Sequence, residues 1–426
     1  MIQASLITPP WNWVWRTLTI CYRRPMVFFW RAGRRAQRRR PHDRSFEGFS
    51  MADVIVIGGG LAGCATAYYL AKDGVDVLVL ERSELNTQAS GSNAGSLHAQ
   101  IPHDPFVNKG PAWAQRFAPS IALMARSIEM WHELPGELGV DLEVSTKGGL
   151  LVGTSEEQLR EIEAKALLER SHGLEVSLLD QHDIRQLAPY LSDRVIGGAF
   201  CPIEGKASPL KATLAYADAA KRLGVHFRRH CEVLGVERAH DHYRVLLASE
   251  VLLAKRVVNA AGADAGRIAA MVGIQTDVQG FAIQVAVTEQ TGPLIPHLVY
   301  SAGEKLTLKQ NAIGSVLIGG GWPARWHGRG HPVTDPDSLA QNMALALQTV
   351  PALGPLRVIR TWAAVVNGTD GWRPILGEVP NSPGFFMNFF PWMGFTAGPI
   401  IARIIASLVQ DKPVPLDIDY RPFLCH

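Results

Sequence analysis

Residues 53–63 read Asp53-Val54-Ile55-Val56-Ile57-Gly58-Gly59-Gly60-Leu61-Ala62-Gly63. The run from Val54 to Ile57 is apolar and β-branched throughout, so it reads as a short strand buried on both faces. The glycines that follow satisfy GxGxxG. Gly58 permits the tight turn, Gly60 admits a pyrophosphate against the backbone, and Gly63 lets a helix pack on the strand. Ala65–Lys72 reads as that helix, ended by Gly74. Leu61 and Ala62 stand at its approach, where unpaired N–H groups and the positive end of the helix dipole meet a phosphate. Val75–Leu80 is a second apolar strand, and it ends in Glu81-Arg82. Glu81 falls 18 residues after Gly63, at the place where an acid holds ribose hydroxyls. The glycines alone are a weak signal. Strand, glycines, helix, strand and acid in this order are a dinucleotide-binding unit.

Around this unit the chain has ordinary globular composition. Its 426 residues suit two domains. Hydrophobic residues make up 47% and charged residues 19%, which excludes disorder and coiled coil as the main architecture. The five cysteines contain no CxxC pair, so no zinc ribbon, iron–sulfur cluster or other metal set is expected. Their odd number and scatter point to a reducing compartment. Residues 1–50 differ in kind. They hold ten Arg against Asp43 and Glu47, a net of +8, which leaves −5 on the other 376 residues of a chain whose total is +3. That body gives no reason to expect nucleic-acid binding. The Arg-rich extension reads as a presequence, as a membrane-surface anchor built on Trp and Arg, or as an upstream frame ahead of a true start at Met51. The last is favoured because Met51 immediately precedes the nucleotide-binding strand. No stretch reaches the length of a membrane span, and Gly394–Gln410, interrupted by Arg403, reads as a buried helix.

Two further segments bear on the dinucleotide. Gln88-Ala89-Ser90-Gly91-Ser92-Asn93-Ala94-Gly95-Ser96 is a small, polar loop just after the acid strand. Arg256-Val257-Val258-Asn259-Ala260-Ala261-Gly262 is a strand ending in small residues. With these, the chain resembles the FAD-dependent D-amino-acid oxidase superfamily, which includes glycine oxidase, sarcosine oxidase, D-amino-acid dehydrogenase and the flavin subunits of opine and hydroxyproline dehydrogenases. The resemblance covers 51–426. Ile318–Gly321 is similar to the inner sheet of the family's substrate domain, Arg360-Thr361-Trp362-Ala363 to its Arg-x-Trp-Ala-Gly, and Asp370–Gly377 to its Asp-Gly-x-Pro-Ile-x-Gly with one extra residue. It implies an α/β fold in which a Rossmann-like FAD-binding domain (51–95, 190–275 and 356–426) interleaves with a mixed-sheet, α+β substrate domain (96–189 and 276–355). It implies FAD, bound non-covalently because no attachment motif matches. Besides Gly58, Gly60, Leu61, Ala62, Gly63, Glu81 and Arg82, the implied cofactor residues are Ser90, Asn93, Ala94, Gly95, Ser96, Val233, Ala260, Ala261 and Gly262. Met393, Gly394, Phe395 and Thr396 complete them at the mouth of the last helix, whose N-terminus suits the flavin's pyrimidine carbonyl.

The departures concern the substrate. Many amino-acid oxidases of the family carry an Arg just after Trp-Ala-Gly that clamps the substrate carboxylate. Here the stretch is Val365-Val366-Asn367-Gly368. A bidentate cation must come from elsewhere; Arg373, Lys309 and Arg325 are candidates, or the substrate is not a simple amino acid. Asp264 stands where the family usually has an aromatic residue. His98, Arg373 and Asn367 are the expected catalytic-site residues. His98 and His103 follow the cofactor loop, although a loop histidine satisfied by backbone is equally natural. Trp362, Trp372, Trp392, Tyr300 and Gln310 are pocket candidates that also suit a core. The implied activity is oxidation of the C–N bond of an amino acid, imino acid or N-substituted amino acid by hydride transfer to flavin, with electrons passed to a partner subunit, a quinone or oxygen. A non-catalytic FAD-binding assembly factor or subunit, and a 2-hydroxy-acid dehydrogenase, are the alternatives. A cytoplasmic location, with peripheral membrane association as the alternative, goes with this reading.

Overall fold

The structure is a computed structural model and describes residues 51–425 except 329. The expectations for the Arg-rich extension lie outside the described residues. Ala52–Ile57 is buried from Val54 to Ile57, as the unbroken apolar run there requires, with Asp53 partly exposed at its start. It pairs in parallel with Val77–Leu80 on one side and Val251–Asn259 on the other. Phe385–Phe389 and then the antiparallel Ile375–Glu378 extend the sheet at one edge, and His226–Arg228 at the other. A hairpin of Gly235–Ala239 and His242–Leu246 pairs with the first half of Val251–Asn259. The helix after the glycines starts at Leu61, a turn before Ala65, with extended Gly60 as its N-cap. It is apolar on nearly every face. It packs between Pro209–Arg222 and the last helix, Gly394–Val409, and is therefore a core helix rather than an amphipathic one.

The second sheet runs in the order Val358–Gly368, Gln279–Gln290, Ser315–Gly319, Thr307–Gln310, Leu298–Ser301, Gly149–Gly153, Gly197–Cys201, Ser177–Asp180. It is antiparallel except where Leu298–Ser301 meets Gly149–Gly153. The chain therefore alternates between two sheets. Two of the expected boundaries move. Gly197–Cys201 and Val358–Gly368 hydrogen-bond into the second sheet, so the crossings lie near 206 and 370 rather than at 190 and 356. Ser120–Leu138, expected with the substrate domain, packs on the last helix and shares its apolar core. Composition carries no mark of these crossings, because strands of both sheets are apolar.

This arrangement puts the carboxyl ends of Ala52–Ile57, Val77–Leu80 and Val251–Asn259 side by side, where open parallel sheets hold ligands. Trp362, on the second sheet, donates its indole N–H to the Ser92 carbonyl at 2.7 Å and ties that sheet to the loop after the acid strand. No helix among the described residues is long and apolar enough to cross a membrane.

Candidate active site

The glycine turn is built for close approach. A Cβ on Gly58, whose φ is +113°, would lie 2.4 Å from the Ala260 carbonyl oxygen, and one on Gly63 would lie 1.9 Å from that of Gly58. Only bare backbone fits both places. Glu81 is held before any ligand arrives: one carboxylate oxygen accepts the Gly59 N–H and the other the Ser83 N–H, each at 2.7 Å. Ser90 Oγ accepts the Leu61 N–H at 2.9 Å and so ties the cofactor loop to the helix start. Arg82 pairs with Asp264 at 2.7 Å. Asn259 donates to the Ala265 carbonyl and accepts from Ala261 N–H, which sets the small residues at 260–262.

Between these groups runs a cleft of about 750 Å³. Gly58, Gly60, Leu61, Ala62, Glu81, Arg82 and Ser90 line it at one end. Asn93, Val233, Ala260, Ala261, Gly262, Gly394 and Phe395 line it as well, with Ala260 against Gly58. It adjoins a second cavity of about 800 Å³. Ala89, Asn93, Gly280, Val366, Trp392 and Phe395 line both. At this junction the Trp392 indole N–H is buried and has no hydrogen-bond partner. A long cleft with an acid at one end, a bare-glycine turn and an unmet donor at the junction fits a dinucleotide that carries a polar ring system.

The second cavity is walled by rings. Trp372 and Trp392 stack with centroids 5.1 Å apart, and Phe281 lies 4.6 Å from Trp392. Both tryptophans have left-handed backbone, φ +59° and +60°, a strained conformation for such residues. Asn367 holds the second one in place: its side-chain amide donates to the Phe390 carbonyl, and its own carbonyl accepts the Trp392 N–H. Thr396 fixes the other wall. Its hydroxyl accepts the His98 N–H at 3.0 Å and donates to the Ser96 carbonyl. The His98 ring faces the cavity and meets Tyr300 edge to face. Burial, and then Lys309 and Lys165, bring the His98 pKa down to about 3, so the ring is neutral.

Behind His98 and Tyr300 lies a buried polar group that the sequence did not announce. Glu204 is fully buried and accepts from Ala99 N–H, Gln100 N–H, the Gln100 amide and the Tyr300 hydroxyl, the last at 2.7 Å. Lys165 and Glu169, one turn apart on Glu156–Ser171 and both fully buried, pair at 2.6 Å. Lys165 also reaches Gln100 Oε1, and Glu169 accepts the Ile101 N–H. Lys309 is buried against the Ser96 hydroxyl, and burial brings its pKa down to about 7.

The structure brings together His98, Asn93, Ala94, Ser96, Met393, Phe395 and Thr396 around the second cavity. Several expected roles change. Arg373 is exposed and donates to the Pro422 carbonyl, away from both cavities, because the turn before Ile375–Glu378 points it outward. Asn367 lines the dinucleotide cleft and acts as the anchor of the 390–392 loop. Gly63 and Gly95 line neither cavity and serve backbone packing; a Cβ on Gly95 would lie 2.2 Å from the Ala207 carbonyl oxygen. Arg325 is exposed on Arg325–His327 and faces neither cavity. Gln310 satisfies the backbone of 291–295. Glu204 and Gln100 were missed. The one signal was an acid closing the apolar run Ala199–Ile203, and it reads equally well as a turn.

Comparison with known proteins agrees with this geometry. Residues 53–408 match the family model of the FAD dependent oxidoreductases (DAO). One of the opine oxidase subunits of Rhizobium meliloti is 27% identical over 382 residues, which cover 86% of this chain and 95% of that protein. The β-subunit of sarcosine oxidase from an Arthrobacter species is 26% identical over 341 residues, 77% of this chain and 79% of that one. Among solved structures, glycine oxidase from Geobacillus kaustophilus superposes with a TM-score of 0.76 at 23% identity, covering 88% of this chain and 98% of that one. The match spans the glycine turn, the cofactor loop, the second sheet and most of the last helix, and the chain belongs to the family of FAD-dependent oxidoreductases.

Proposed function

We propose that this enzyme oxidises a carbon–nitrogen bond in an amino-acid-like or other amine substrate. The observation that supports this is the adjacency of the dinucleotide cleft and the ring-walled cavity, which share Asn93, Trp392 and Phe395 in their walls. Bound FAD supplies a two-electron, hydride-accepting ring. The chain's residues do the rest. Trp372, Trp392 and Phe281 exclude water and present an apolar wall. Thr396 and Ser96 set the backbone at the junction. The neutral His98 ring offers an uncharged polar edge to the cavity. The substrate ammonium first releases one proton to solvent, the freed nitrogen lone pair closes the C=N bond as the carbon gives up hydride, and water then hydrolyses the iminium. Among the described residues no acid–base triad lines the cavity, and this chemistry requires none. Relatives named as oxidase subunits support assembly with a partner subunit, with electrons passing to that partner, a quinone or oxygen.

Anaerobic mixing of the FAD-loaded protein with D- and L-amino acids, prolines, N-alkyl amino acids, arylalkylamines and 2-hydroxy acids tests the reading. Loss of the oxidised flavin absorbance with an amine, and not with a hydroxy acid, is expected. Bleaching by hydroxy acids alone, or by nothing in the panel, would sink it.

A further inference from the structure

The ring-walled cavity is unevenly charged. Among the described residues its lining contains one cationic side chain, Lys305, which is half exposed and lies 3.8 Å from Asp104. No arginine faces it, so no bidentate clamp for a carboxylate exists there. Its walls are Phe281, Trp362, Trp372, Trp392, Phe395 and Tyr300. Such rings attract cations through their faces.

The floor has the opposite polarity to Lys305. Glu204 sits on the turn after Gly197–Cys201, and its four donors are all uncharged. Lys165 directs its ammonium to Glu169. Burial raises the Glu204 carboxyl above the ordinary carboxylate range by more than its donors lower it, while the geometry, donors on both oxygens and no acceptor, is that which suits the ion. The other titratable groups around it are His98, with Nδ1 4.0 Å away, Tyr300, the buried Cys201 thiol, the Lys165–Glu169 pair, and Lys309 beyond Ser96. Gly149 leaves room for it: a Cβ there would lie 1.8 Å from Glu204 Oε2. The strand Gly149–Gly153 is thus shaped around a carboxylate that touches no cation, and the Tyr300, His98 and Gln100 side chains, which line the cavity, stand between the two.

We propose that the substrate is an amine whose nitrogen is received as a cation in front of Glu204 and whose bulk is aromatic or apolar, any carboxylate remaining at the mouth beside Lys305. The proposal rests on the amine-oxidising reading above. The substrate enters as an ammonium and leaves as an iminium, so its nitrogen is positive at both ends of the reaction. Glu204 is a positioning residue, acting through Tyr300 and His98.

The test is a titration of the FAD-loaded protein with three probes that cannot be oxidised there: benzyltrimethylammonium, benzoate and trimethylglycine. Flavin absorbance reports binding, and a thermal shift on the same samples checks it. The aromatic cation is expected to bind at least about tenfold tighter than either other probe. Glu204→Gln should cost it about tenfold and leave benzoate unchanged or improved, as removal of one buried charge predicts. Glu204→Asp, which keeps the charge, should retain the preference. Benzoate or trimethylglycine binding as tightly as the aromatic cation, an unchanged ratio in Glu204→Gln, or loss of the preference in Glu204→Asp as well, overturns the proposal. Should the Gln variant fail to fold, the wild-type ratio decides alone. The titrations involve no turnover. A protein that prefers the aromatic cation yet is bleached by no amine refutes amine oxidation and leaves the cavity's preference standing. One bleached by glycine or sarcosine as fast as by arylalkylamines keeps the oxidation and overturns the preference.

Discussion

Gly63 carries no side chain and does more for the cofactor cleft than most residues that line it. Its Cα faces the Gly58 carbonyl so closely that an added methyl would lie 1.9 Å from the oxygen, and neither backbone can give way without moving the helix off the strand. Gly63→Ala should therefore cost about 1–3 kcal/mol or more through overpacking. Because the helix start moves with it, the variant should purify nearly free of flavin, which an absorbance ratio would show; a fully yellow variant would contradict this. Glu81 works by preorganisation. Glu81→Gln turns one of its two acceptors into a donor and leaves either Gly59 N–H or Ser83 N–H unmet, at about 1–3 kcal/mol. FAD binding, measured by fluorescence quenching, should weaken about 10- to 100-fold. An unchanged affinity would mean that the two N–H groups find water and that the ribose makes no use of the acid.

The helix Glu156–Ser171 looks from its sequence like a charged surface helix with an apolar stripe, and most of it is one. Lys165 and Glu169 break the pattern. Both are wholly buried against Gln100 and Ile101, so the helix braces the backbone that carries His98 and the donors to Glu204. Breaking a buried pair on one side leaves an uncompensated charge and costs about 3–5 kcal/mol, whereas replacing both partners by apolar groups is often nearly neutral. Lys165→Met should accordingly destabilise the protein strongly. Adding Glu169→Leu to it should recover much of the loss in urea denaturation. If the double variant is the weaker of the two, the pair contributes through specific hydrogen bonds and not through charge balance. Sequence periodicity cannot reveal such a pair, because an i, i+4 Lys–Glu spacing is what exposed helices also use.

At the scale of the whole chain, what could be read in advance was local and what could not was assembled from distant segments. Asp53–Gly63, Val75–Glu81 and the Gly394 helix entrance announce themselves within a few residues each, because their function needs adjacent glycines, N–H groups and an acid. The cavity draws Phe281 and Trp362 from two strands of the second sheet and Trp392 from a strained loop, and Glu204 behind it sits on a turn whose donors lie about a hundred residues away on either side. No spacing rule links those positions. The same assembly makes stability depend on pH. His98 and His103 have folded values of about 3 and about 4, in each case mainly through burial. The unfolded chain therefore binds more protons than the folded one between pH 6.5 and those values, and stability rises with pH across that window. On acidification from pH 6.5 towards 4 it should fall by up to about 2.7 kcal/mol per pH unit if both rings contribute fully. Buried Glu169 and Glu204 pull the other way, since burial raises them, so the wild-type slope alone is ambiguous. The difference between wild type and the double variant His98→Asn, His103→Asn removes their share. Urea denaturation of the holoprotein at pH 7, 6 and 5 should give a steeper loss in the wild type than in that variant. Parallel curves would mean that water reaches both rings and that the floor of the cavity is less dry than its packing implies.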